Sequence, residues 1–240
     1  MNTTPGPTPP QSALGTPRVN LALQGGGSHG AFTWGVLDTL LADGRVAFEG
    51  ISGTSAGAMN AVAMAHGLAQ AQGKTPLQMR ESARASLTQF WEGIVDMGAV
   101  TNSISQAQRA PFDILFGGFG SLTGQPSPGQ MVNDAMTSFW AKTVSPYQSN
   151  PLDINPLQKF LEAQIDFERL AAFKDVRVFV VATAVTTGKA EVFSGKRLNA
   201  KAVMAPACLP AVFQAVEIDG VHYWDGGFSG NPALHPLTYH

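Results

Sequence analysis

VAFEGISGTSAGAMNAVAMAHGLA, residues 46–69, holds the reading of the fold. Val46 to Gly53 is short and apolar and predicts a strand. Gly53-Thr54-Ser55-Ala56-Gly57 is a glycine-flanked turn, and Ala56 to Ala69 predicts an alanine-dominated helix with Met59, Val62 and Met64 as bulky residues. The same unit stands just upstream. Val19, Leu21 and Leu23 alternate with smaller residues in a strand that starts at Arg18, and Gly25, Gly26 and Gly27 stop it. A helix over about Ser28–Ala42 follows, with Phe32, Val36 and Leu40 at four-residue spacing and Leu37 and Leu41 alongside. Asp43-Gly44 closes it, because glycine takes the left-handed conformation that ends helices. Strand, glycine turn and helix, twice over, is the rhythm of an α/β protein with a largely parallel sheet.

Further along, Pro76–Val95 predicts a helix presenting Leu87, Phe90, Trp91 and Ile94 on one face. Residues 101–150 mix polar and glycine-rich sequence with the apolar run Phe112–Phe119. The stretch 70–150 therefore reads as a helical and loop insertion or a cap over an apolar pocket. A helix at about Pro156–Ala163 precedes Val176–Thr183, as continuously apolar as a strand buried on both faces. Thr186-Thr187-Gly188-Lys189 turns the chain into a strand over Ala190–Phe193, and a short helix spans about Leu198–Met204. A second hairpin, Glu217 to Trp224, delivers Asp225-Gly226-Gly227.

The 240 residues are 44% hydrophobic and 13% charged, which fits one large domain with a substantial core. Fifteen basic and 17 acidic residues give a net charge of −2, which argues against nucleic acid as a partner. One cysteine, Cys208, excludes an internal disulfide and a multi-cysteine metal site. Residues 1–17 carry no charge and are rich in Pro and Thr, as expected of a disordered tail. They lack the pattern of a secretory signal, and no later run is long enough to span a bilayer, so a cytoplasmic location is expected. Residues 174–201 hold six basic and two acidic side chains. That local excess suits peripheral contact with an anionic membrane or, as readily, an ordinary solvated face. Oligomeric state leaves no mark in the sequence.

Three glycine-marked sites carry chemistry. In Gly25-Gly26-Gly27-Ser28-His29-Gly30, backbone N–H groups converge at a helix start, where they favour an anion. The segment satisfies G-x-G-x-x-G, and Glu49 stands where a dinucleotide site keeps its ribose-binding acid. It suits an oxyanion hole equally well. Gly53-Thr54-Ser55-Ala56-Gly57 is G-x-S-x-G between strand and helix, the setting in which a nucleophilic serine projects from a sharp turn. Asp225-Gly226-Gly227 alone would be an ordinary turn. Its interest lies in the need of Ser55 for a base.

The histidines are His29, His66, His222, His235 and His240. Ser55, Asp225 and His235 follow the order of an α/β-hydrolase triad, but ten residues between acid and histidine are too few for that fold. His29 lies in the glycine loop, and His66 is about three turns along the helix after Ser55. A carboxylate alone can take the proton where burial raises its pKa, and Trp224 with Gly226 and Gly227 suits a confined Asp225.

The three motifs together resemble the patatin-like phospholipase family. The likeness is carried by Gly25–Gly30 with Gly35-Val36-Leu37, by Gly53–Gly57, and by Asp225-Gly226-Gly227 with Asn231-Pro232. It runs from about Arg18 to the end, more loosely over 70–150. The resemblance implies a three-layer α/β/α catalytic domain over 18–240 that hydrolyses lipid acyl esters without metal or cofactor. It implies Ser55 as nucleophile, Asp225 as base and an oxyanion hole drawn from Gly25, Gly26, Gly27, Ser28 and Gly30. Gly53 and Gly57 would shape the serine turn, and Gly226 and Gly227 the base loop. A catalytically idle lipid- or acyl-binding protein is the alternative, and a dinucleotide-binding protein a remote one. Three features depart from the family pattern. His29 stands in place of a basic residue and Pro206 in place of a serine. Only 15 residues follow Asp225, where a further strand–helix unit is usual, so a minimal or shortened member is expected.

Overall fold

The computed structural model describes residues 16–100, 155–208 and 213–238, with backbone alone for 98–100 and 156. Most of the tail, the Phe112–Phe119 run and the rest of 101–154 lie outside the described residues. Six described strands form one sheet: β1 (Arg18–Leu23), β2 (Ala47–Gly53), β3 (Arg177–Ala184), β4 (Ala190–Ser194), β5 (Val216–Ile218) and β6 (Val221–Trp224). The described helices are α1 (Gly30–Asp43), α2 (Ala56–Gln70), α3 (Pro76–Val100), α4 (Pro156–Gln164), α5 (Phe167–Ala172), α6 (Ala200–Met204) and α7 (His235–Thr238). Strands β1, β2 and β3 are mutually parallel, β4 and β6 run antiparallel to β3, and β5 runs antiparallel to β6. Four strands thus point one way and two the other.

The register decides what the sheet can do. β4 occupies one edge of β3 from Phe179 to Thr183. β2 pairs with β3 up to Gly53↔Val180, and β6 pairs with it only at Thr183↔Trp224 and Ala184↔Tyr223. A strand has two edges, so β2 and β6 share the second one end to end. Between them Val181 and Ala182 are left, and the chains leaving β2 and β6 converge over that gap.

Alternation along β2 places helical layers on both faces. Gly53 turns toward Gly57 and Ala58 of α2. Gly50 and Ser52 turn the other way, where Leu237 of α7 packs on Gly50 and the Ser52 hydroxyl donates to the Ala233 carbonyl at 2.6 Å. α2 is buried from Ala56 to Ala69, which an alanine-rich helix permits because its backbone can approach its neighbours closely. Gly67 lies against the backbone of Ser82 and Ala83 in α3, and the predicted Leu87, Phe90, Trp91, Ile94 face of α3 is buried. A bidentate Arg84–Asp38 pair, at 2.7 and 3.1 Å, ties α3 to α1.

The two apolar lines of α1 differ in burial, and of Phe32, Val36 and Leu40 only Leu40 packs against the core. Phe32 is 77% and Val36 43% exposed, whereas Leu37 and Leu41 are each 1%. The buried stripe is the one beginning at Gly30, which carries Trp34 stacked on Trp91 with ring centroids 6.5 Å apart. The Glu217–Trp224 hairpin turns through Asp219 and Gly220 at φ 53° and 78°, the consecutive left-handed pair of a type I′ turn. The basic excess at 174–201 is partly paired, Arg177 with Glu49 at 3.7 Å and Arg197 with Glu191 at 2.8 Å.

Gly57 is where α2 crosses the end of β1. A Cβ there would collide with the Leu23 carbonyl. Backbone cannot yield as a side-chain tip does, so Gly57→Ala is expected to destabilise the protein by about 3 kcal/mol. Urea denaturation monitored by tryptophan fluorescence measures it; an unchanged midpoint would contradict the packing.

Candidate active site

Ser55 adopts φ 53° and ψ −126°, a conformation rare for any residue with a side chain. Such strain costs on the order of 1–3 kcal/mol and persists only where neighbours over-determine it. They do so here. The Thr54 N–H donates to Leu23 O at 3.3 Å, the Gly57 N–H to Thr54 O at 2.9 Å and the Ala58 N–H to Ser55 O at 2.9 Å. The Thr54 hydroxyl donates across to Gly230 O at 3.1 Å. The result is a sharp turn from β2 into α2 with Ser55 at its apex, 6% exposed.

Asp225 follows β6 directly, over the Val181–Ala182 gap. Its N–H donates to Cys208 O, and its carbonyl accepts the Thr183 hydroxyl, both at 2.9 Å. The carboxylate accepts the Gly227 N–H at 2.6 Å, and the Ser55 hydroxyl is near enough to favour its charged form. Gly226 packs on the Val181 carbonyl, which pins the loop to β3. Asp225 is 8% exposed. Burial pushes its pKa above the ordinary carboxylate range, and the Gly227 hydrogen bond and the nearby Ser55 hydroxyl pull against that rise without cancelling it. A carboxylate so placed is a stronger proton acceptor than one in water.

The glycine loop joins β1 to α1 beside this pair. Gly25 abuts the serine turn, where a Cβ would lie 2.6 Å from the Ser55 Cβ. Its N–H is taken by the Asn231 side-chain oxygen at 2.6 Å. Gly30 packs against Ala56 and Trp91, and its N–H donates back to the Gly27 carbonyl in the tight turn that precedes α1. Among the described residues, the N–H groups of Gly26, Gly27 and Ser28 carry no recorded acceptor. Of the five residues expected to form an anion site, these three retain donors to offer, while Gly25 and Gly30 act by close packing. His29 is exposed, with Nδ1 3.0 Å from Gly26 O.

No described histidine is hydrogen-bonded to Ser55. His66 is buried, and its Nε2 accepts the Asp166 N–H at 3.2 Å while Nδ1 lies 3.5 Å from the Ser86 hydroxyl. Burial holds its pKa below the ordinary value, so it joins α2 to the start of α5 as a neutral ring. His222 lies 4.0 Å from Glu217, His235 opens α7, and His240 is outside the described residues. Glu49 sits between Arg18 and Arg177 at 3.8 and 3.7 Å, on a strand that leads into the Ser55 turn. Pro206 is buried in a tight turn over Ala205–Ala207 that leads to Cys208.

Sequence reasoning missed Asn60. It lies in α2 with no exposed surface, accepts from Trp91 Nε1 at 2.9 Å and donates to the carbonyls of Gly30 and Ala56 at 2.9 and 3.2 Å. The available signal was an asparagine among the alanines of a helix with no Asp, Glu, Lys or Arg.

A mixed sheet with a parallel β1–β2–β3 core and a strained serine at a strand–helix turn defines a class of α/β proteins. The model of the patatin-like phospholipase family matches residues 21–238, and the chain belongs to that family. No curated protein matches it in sequence. Among solved structures it is similar to VipD from Legionella pneumophila, with 18% identity and a TM-score of 0.45 over 92% of this chain and 47% of that one. The chain thus spans about half the length of that structure.

Proposed function

We propose that the protein is a serine acyl-ester hydrolase acting on lipid substrates, of the phospholipase A or lipid acyl hydrolase type. The observation that carries the reading is the strained turn that holds Ser55 beside a buried Asp225 carboxylate, close enough for the hydroxyl to favour its charged form. Family membership supports the lipid class of the ester.

In the proposed reaction Ser55 Oγ attacks the ester carbonyl carbon as its proton passes to the Asp225 carboxylate. The tetrahedral oxyanion is met by the N–H groups of Gly26, Gly27 and Ser28. Collapse expels the alcohol, which takes the proton back from Asp225 and leaves an acyl group on Ser55. Water then attacks the acyl-enzyme, gives its proton to Asp225 and releases the fatty acid, and Ser55 recovers its proton. The steps balance without a cofactor.

A fluorophosphonate probe tests this against the idle lipid-binding alternative. Covalent labelling at Ser55 is expected, with p-nitrophenyl ester turnover blocked in proportion. Lipid binding without labelling would establish the alternative.

A further inference from the structure

Three consecutive glycines make the most pliable backbone a chain can have. Donors that stabilise an oxyanion must sit about 2.7–3.1 Å from it and be fixed before reaction. Something outside the loop must therefore hold it. The structure has such a device at each end. At the start, Asn231 accepts the Gly25 N–H through Oδ1 at 2.6 Å, and its Nδ2 lies 3.5 Å from the Gly25 carbonyl. At the end, Asn60 donates through Nδ2 to the Gly30 carbonyl at 2.9 Å. Chemistry fixes both amide orientations. Only an oxygen can accept the Gly25 N–H or the Trp91 indole N–H, and only an amide nitrogen can donate to the Gly30 and Ala56 carbonyls. Between the two anchors lie Gly26, Gly27, Ser28 and His29.

Each anchor is also joined to one member of the proposed reacting pair. Asn60 lies in α2, whose first turn follows Ser55, and it holds Ala56 O as well as Gly30 O. Asn231 lies six residues beyond Asp225, in the segment that Thr54 and Ser52 fasten to the end of β2.

We infer that Asn60 and Asn231 are positioning residues that clamp the glycine loop at both ends and set its N–H donors relative to Ser55 and Asp225. This rests on the proposed reading of the site. Neither residue touches the reacting atoms. Loosening either clamp weakens the transition-state donors without altering ground-state substrate binding.

The experiment compares wild type, Asn231→Ala and Asn60→Leu in ester hydrolysis and in inhibition by an alkyl trifluoromethyl ketone, whose serine adduct carries a tetrahedral oxyanion. Each substitution is expected to lower kcat about 10- to 100-fold with KM within about twofold. The inhibitor should weaken by the same factor, and the acid limb of the pH profile should stay in place. If kcat stays within twofold of wild type in both, or falls without a matching loss of inhibitor affinity, the clamp is overturned. Asn231 is exposed, so Asn231→Ala decides alone if Asn60→Leu does not fold. Fluorophosphonate labelling of wild type separates the two layers. A wild type that is not labelled removes the hydrolase reading, whereas a labelled wild type with unaffected variants removes only the clamp.

Discussion

Ser55→Ala is expected to cut p-nitrophenyl ester turnover by a factor on the order of 10^4 to 10^6, the scale on which nucleophile removal acts in serine hydrolases. The cause is direct. Alanine keeps the Cβ and the backbone and deletes only the oxygen proposed to form the acyl-enzyme. Gly25 already lies against that Cβ, so the packing is preserved. Alanine adopts φ 53° no more readily than serine, so stability should change little. Steady-state hydrolysis with thermal denaturation on the same sample checks both. Activity within tenfold of wild type in a folded variant would remove Ser55 from the mechanism.

Asp225→Asn is the second large effect, expected at about 10^3- to 10^4-fold in kcat/KM because the amide cannot take the serine proton. Wild-type activity should need ionised Asp225. Its pKa is raised by burial, so the acid limb of the pH profile should lie above the range of an exposed aspartate. Stability moves in the opposite sense. A carboxyl whose folded pKa exceeds its unfolded value contributes stability that is complete below the unfolded pKa. That contribution is lost as pH rises through the folded pKa. At neutral pH the buried carboxylate is therefore a cost, and asparagine removes it while keeping an oxygen for the Gly227 N–H. The variant should have a Tm at pH 7 equal to or above wild type, with the difference shrinking on acidification. A neutral-pH Tm well below wild type would show that Asp225 serves the fold before it serves the reaction.

The two strand–turn–helix units were legible from residues 18–70, because glycine clusters and short apolar runs are local signals. β3 was legible for the same reason. The more buried side of α1 was not legible, because α1 is apolar on two adjacent lines and four-residue spacing describes both Phe32–Val36–Leu40 and Leu37–Leu41. Which line meets the core depends on where Trp91 lies, and that is tertiary information. α5 escaped because six residues are too few for a periodic pattern, and its Asp166 cap, 2.9 Å from the Arg169 N–H, reads in sequence as any loop aspartate. In the candidate site, Ser55 and Asp225 came from motifs. Their approach to one another, the Asn60–Trp91 contact and the Asn231–Gly25 contact join positions too far apart for any local pattern to register.

The shared edge of β3 makes strand alignment a matter of chemical accuracy. β6 meets β3 through two residue pairs, and side chains alternate between sheet faces from one residue to the next. A slip by a single position would turn the Asp225 carboxylate away from Ser55 while leaving both motifs intact. Three bonds resist that slip: the Val185 N–H to His222 O and the Asp225 N–H to Cys208 O at 2.9 Å, and the Thr183 hydroxyl to the Asp225 carbonyl. The chain guards the position of its proposed base to one residue, with bonds that take no part in the proposed reaction.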